Sequence, residues 1–69
     1  MTKTDARFKL TRGLSDRDLE NIMRVHSVFG MLTTRVADSG DEVFVIYDAS
    51  RLTLPEVRGV LEEHGIPIQ

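Results

Sequence analysis

Two helix-start signatures limit what this chain can become. Ser15-Asp16-Arg17-Asp18 and Thr53-Leu54-Pro55-Glu56 each set a hydroxyl residue three positions ahead of an acid. In that spacing the hydroxyl accepts from an amide of the first turn, and the acid reaches back to the N–H of the hydroxyl residue. Asp16, Asp18 and Glu20 sit near the positive end of the helix dipole, and Pro55 stands where a missing N–H costs nothing. After the first signature come Leu19, Ile22, Met23 and His26, with Phe29 one step on, the spacing of one helical face. After the second come Leu54, Val57, Val60 and Leu61, with His64 on the same face. The spacing predicts one helix over residues 16–28, stopped by Gly30, and another from Thr53 to a Gly65 cap. Gly59, inside the second helix, costs about 1 kcal/mol relative to Ala and reads as a place where a neighbour packs closely.

Strand patterns flank both helices. Residues 6–12 alternate around Phe8 and Leu10 until Gly13 frees the backbone to turn. Residues 31–37 are rich in Thr and Val, Asp38-Ser39-Gly40-Asp41 is a turn cluster, and Val43-Phe44-Val45-Ile46-Tyr47 is an unbroken β-rich run, which together read as a hairpin. Ile66-Pro67-Ile68 reads as a short last strand, placed at a sheet edge because Pro67 has no N–H to donate. The polar residues 1–5 are expected to be disordered, which leaves 6–69 as a single domain. The order βαββαβ predicts an α+β, ferredoxin-like sandwich: an antiparallel four-stranded sheet with two helices on one face. Within the third strand Val43, Val45 and Tyr47 point one way and Phe44 and Ile46 the other. A strand apolar on both sides implies that its open face is covered, so Phe44 and Ile46 are candidate interface residues for self-association or a partner.

Composition excludes several functions. A chain of 69 residues has no room for a large internal active site, and with no Cys it has neither disulfides nor thiolate ligands. A net charge of -2, with Arg7, Arg12, Arg17, Arg24, Arg35, Arg51 and Arg58 interleaved with acids, reads as a solvated mixed-charge surface rather than a nucleic-acid track. No apolar run approaches the ~18 residues of a membrane span, and no apolar stretch follows Lys3, so a cytoplasmic location is expected. No phosphate loop, nucleophile–base pairing or metalloenzyme motif is present, so an enzyme is not expected.

The βαββαβ order, the length, and the run Val43-Phe44-Val45-Ile46-Tyr47-Asp48-Ala49-Ser50-Arg51-Leu52-Thr53-Leu54 resemble the heavy-metal-associated domain, as does the closing Glu62-Glu63-His64-Gly65-Ile66-Pro67-Ile68. In that family a Gly-Met-x-Cys-x-x-Cys loop after strand one binds soft metals. Matching on Gly13-Leu14 puts the two Cys positions at Asp16 and Leu19; matching on the core pattern puts them at Ser15 and Asp18, which keeps core residues in the core. Neither leaves a thiolate. The resemblance implies a role in metal homeostasis and a metal-transporting ATPase or related domain as partner. Because antiparallel helices bring the end of the second near the start of the first, Ser15, Asp16, Asp18 and His64 are candidate ligands for a divalent transition metal such as Zn, Co or Ni, which oxygen and imidazole suit better than Cu(I). The capping roles of Ser15 and Asp18 stand beside that reading. A reading from another class is a regulatory or oligomerisation domain like the ACT family, which shares the strand order and needs no metal.

Overall fold

The computed structural model describes residues 2–69. β1 (Lys3–Lys9), α1 (Asp16–Val25), β2 (Met31–Val36), β3 (Glu42–Asp48) and α2 (Leu54–Glu63) follow in that order. β3 is the middle strand of the order β1-β3-β2 and is antiparallel to both neighbours, so β1 and β2 run parallel on either side of it. The register sets Arg7 opposite Phe44 on one side of β3 and Arg35 opposite Phe44 on the other. Strand alternation turns Val43, Val45 and Tyr47 under the helices, where they meet Phe8, Ile22, Val25, Val57 and Leu61.

The expected fourth strand is not formed. Ile66–Ile68 makes only an isolated antiparallel bridge, Leu10 with Ile68, so the sheet has three strands. Pro67 brings no donor to a ladder; its carbonyl accepts from Thr11 N–H at 2.7 Å, and Gln69 N–H reaches the Lys9 carbonyl at 2.8 Å. β1 also differs. It begins at Lys3, before the expected start at residue 6, because Lys3, Thr4 and Asp5 pair with Asp48, Tyr47 and Ile46. Residues 2–5 are therefore placed by the sheet or by the loop beyond it, Thr2 N–H donating to Asp48 Oδ1 at 3.1 Å, while Met1 lies outside the described residues. Their side chains carry no apolar alternation, so only the partner strand could reveal the pairing.

α1 stops at Val25, with His26 as C-cap, and not at Val28. Its buried side is Asp18, Ile22 and Val25; Leu19, Met23 and Phe29, expected on the core stripe, are 46%, 72% and 71% exposed. The apolar residues of α1 spread over more than one face, and the sheet selects the arc containing Val25. In α2 the same selection buries Val57 and Leu61 and leaves Leu54, at the first turn, 49% exposed. Gly30, at φ 98, ends the α1 connection; the positive φ favours glycine, and a Cβ there would lie 2.9 Å from the Leu52 side chain, which would have to shift. At Gly59 a Cβ would meet nothing within 4 Å, so the expected close approach of a neighbour is absent.

Candidate metal loop and its internal cation

The loop between β1 and α1 is built around one carboxylate. Ser15, in extended conformation, caps α1: its hydroxyl accepts from Asp18 N–H, and Asp18 Oδ2 accepts from Ser15 N–H at 2.9 Å, so both arms of the expected capping box form. Asp18 sits on the buried side of the helix, with a side chain only 6% exposed. Arg12 closes over it, Nη1 donating to Oδ2 at 2.6 Å and Nη2 to Oδ1 at 3.3 Å. The Arg12 guanidinium, followed by the Ser15 N–H, holds the Asp18 carboxyl well below its ordinary value, at about 2, and Asp18 raises Arg12 in return. A carboxylate this buried needs a paired cation, and the chain supplies it from six residues upstream.

The sequence-selected ligands stand as follows. Ser15 and Asp18 are brought together, but with each other and Arg12 as partners. Asp16 is exposed on the first turn. His64 is the C-cap of α2, and its Nδ1 donates to the Val60 carbonyl at 2.8 Å. The adjoining Gly65 lies beside Asn21, midway along α1. Among the described residues no group of three or more His, Cys, Asp or Glu is arranged to hold a metal ion. The donors that would have to serve such an ion are committed elsewhere at Ser15 and Asp18.

Sequence reasoning did not find Arg12, whose pairing required knowing that β1 ends beside the start of α1. It also did not anticipate the opposite end of the molecule. Asp48, with a side chain only 4% exposed, accepts at Oδ1 from Ser50 Oγ at 2.6 Å, Ser50 N–H at 3.0 Å and Thr2 N–H, and Oδ2 faces Arg51 Nε at 3.5 Å. The Ser50 hydroxyl, then the Thr2 N–H, lowers Asp48 to about 2. Arg51 also stacks over Phe29, 4.1 Å from the ring centroid. The Tyr-Asp-x-Ser-Arg run therefore works as a structural clasp joining the end of β3 to Thr2 and to the α1–β2 connection. His26 Nε2 lies 3.0 Å from Thr34 N and so ties the end of α1 to β2.

No protein-family model matches the sequence, and no curated protein matches it. Among solved structures the chain is similar to apo-CopP from Helicobacter pylori, at 19% identity over 96% of this chain and 100% of that one, with a TM-score of 0.77. It is similar to oxidized MerP from Ralstonia metallidurans CH34, at 12% identity over 99% and 96% of the two chains, with a TM-score of 0.76. It is also similar to the CsoZ metallochaperone, at 12% identity over 99% of each chain, with a TM-score of 0.73. At these identities the likeness establishes the fold. No helix among the described residues is long and apolar enough to cross a membrane.

Proposed function

We propose that this chain is a heavy-metal-associated-like module of metal homeostasis that works by docking to a metal-transporting ATPase or a related domain, without catalysis and without carrying the metal itself. The observation that carries the reading is the Arg12–Asp18 pair. Where the resembled family offers two thiolates to a cation, this loop offers one buried carboxylate already neutralised by its own guanidinium. Replacing that guanidinium by a metal means breaking a pair already formed: Asp18 would have to give up the 2.6 Å and 3.3 Å bonds from Arg12 and the 2.9 Å bond from the Ser15 N–H for an incoming ion. The fold likeness to a metallochaperone supports the setting.

The competing version puts a divalent transition metal on Ser15, Asp16, Asp18 and His64. A two-dimensional amide NMR titration separates them. With Zn(II), Co(II) and Ni(II) added in turn, the docking reading expects no saturating response confined to the amides of Ser15–Asp18 and His64. Shifts or broadening at those amides that saturate at one equivalent, and that vanish in Asp16→Asn or His64→Gln, would overturn it in favour of the carrier. Titration with the soluble domains of a metal-transporting ATPase should in contrast shift a contiguous surface.

A further inference from the structure

β2 forms one border of the sheet, and a histidine lies across it. β3 pairs with β2 on one side, and Ala37 N–H bonds the Glu42 carbonyl at 2.9 Å. Alternation then sends the backbone groups of Thr33 and Arg35 toward β3 and those of Thr34 and Val36 outward. A side chain meets the outward groups of Thr34. His26 Nε2 lies 3.0 Å from both Thr34 N and Thr34 O, accepting from the one or donating to the other according to its tautomer. No backbone bond from outside the sheet reaches Val36 among the described residues. Thr34 also carries a buried side-chain oxygen, Oγ1, that has no partner among those residues. The helix flank above this border is apolar: Leu19 and Met23 share one side of α1 with His26, and both are exposed, as is Leu32 on β2 itself.

We infer that the outer edge of β2 pairs with the same edge of a second copy, antiparallel about a two-fold axis at Thr34, and that His26 guards it. The pattern of the strand selects the occupant. An axis at Thr34 sets Thr34 against itself, Thr33 against Arg35 and Val36 against Leu32, so no like charges meet and the two unpartnered hydroxyls face each other. An axis at Arg35 would set that cation against itself, and one at Thr33 would leave Val36 opposite Gly30, outside the strand. β1, the other border, lacks this match. Leu10 N–H turns inward to the Asp41 carbonyl, so the outward groups of β1 belong to Lys3, Asp5, Arg7 and Lys9. Axes at Asp5, Ala6 or Arg7 oppose Asp5 to itself, Lys3 to Lys9 or Arg7 to itself, and Gln69 N–H already holds the Lys9 carbonyl. Six residues at ~3.3 Å and two layers ~10 Å apart give a border of roughly 400 Å², half of what each partner gives a standard interface. The dimer is therefore transient, and a single ring that must be lifted from Thr34 competes with it. The inference concerns the sheet border and does not rest on the docking reading of the loop between β1 and α1.

The test follows the full chain by sedimentation and amide NMR in a dilution series from millimolar to low-micromolar concentration. A monomer–dimer equilibrium is expected, with shifts at His26, Thr34 and Val36. His26→Ala uncovers Thr34 and should tighten association about fivefold, the value of one net hydrogen bond and opposite in sign to the loss of an ordinary contact. Thr33→Glu should tighten it and Thr33→Lys weaken it, each about threefold, because Arg35 of the second copy lies opposite. On a chain of net charge -2, general repulsion alone would reverse that order. A dispersed amide spectrum shows that each variant is folded, and the Thr33 pair decides the matter if His26→Ala is not. Four results overturn the inference. One is a monomer at every concentration in both the parent and a folded His26→Ala. Another is a response to the two Thr33 substitutions that is equal or reversed. The third is a species larger than a dimer, which marks head-to-tail pairing of β2 with β1. The last is an alternating Thr-Val octapeptide that shifts the same amides while the chain stays monomeric.

Discussion

Replacing Gly59 by Ala should make this domain more stable. Gly59 lies in the interior of α2, six residues into a ten-residue helix, and an added Cβ would meet nothing within 4 Å. The substitution therefore removes the backbone entropy that glycine loses on folding and adds no clash, a gain of about 1 kcal/mol. In a domain of 60–100 residues a change of that size raises the melting temperature by about 4–8 °C. Thermal unfolding followed at 222 nm, and urea unfolding at 25 °C, would measure it; the urea midpoint should rise with an unchanged slope. Gly30→Ala is the internal control with the opposite sign, because φ is 98 and the new methyl would lie 2.9 Å from Leu52. An unchanged or lower melting temperature for Gly59→Ala, with Gly30→Ala destabilising as expected, would refute the reasoning. It would mean that the space beside Gly59 is not open in the folded chain.

Acid should unfold the domain through its two buried carboxylates. Asp18 and Asp48 are both held at about 2, below the ordinary carboxylate value, so their contribution is full above about pH 4 and is lost as pH falls through about 2. Asp18→Asn should flatten that acid limb in a pH series of urea midpoints, and Asp16→Asn should leave it in place. The packing of α1 makes a further pair of predictions: Met23→Gln, at a site 72% exposed, should stay within about 0.5 kcal/mol of the parent. Val25→Ala, at a site with no exposure, should lose about 1–3 kcal/mol, and equal costs at the two sites would contradict the helix orientation.

The docking reading changes what a chain of this fold needs from its first loop. A soft-metal carrier needs thiolates exposed to exchange; here the same stretch is a helix cap locked by a short ion pair, which orders the start of α1. On the sheet face away from the helices Arg7 and Arg35 stack on Phe44 and face no carboxylate within ion-pair distance among the described residues.

Much of the fold was legible because it rests on local rules. Both capping boxes, the turn at residues 38–41 and the alternation of Val43, Val45 and Tyr47 are written in spacings of three and two residues, and each forms as read. What only the tertiary structure decided are choices between local options of similar energy. Apolar residues on more than one side of α1 left its rotation open until the sheet took Ile22 and Val25 and turned Met23 outward. Polar residues 3–5 joined a strand because Ile46 to Asp48 offered unpaired backbone, and Ile66–Ile68 stopped at one bridge because Pro67 has no donor. The partners of Arg12, Arg51, Arg7 and Arg35 were likewise invisible. Long charged side chains have no periodicity of their own, and which carboxylate or ring each one meets depends on strand register and on where two distant segments end.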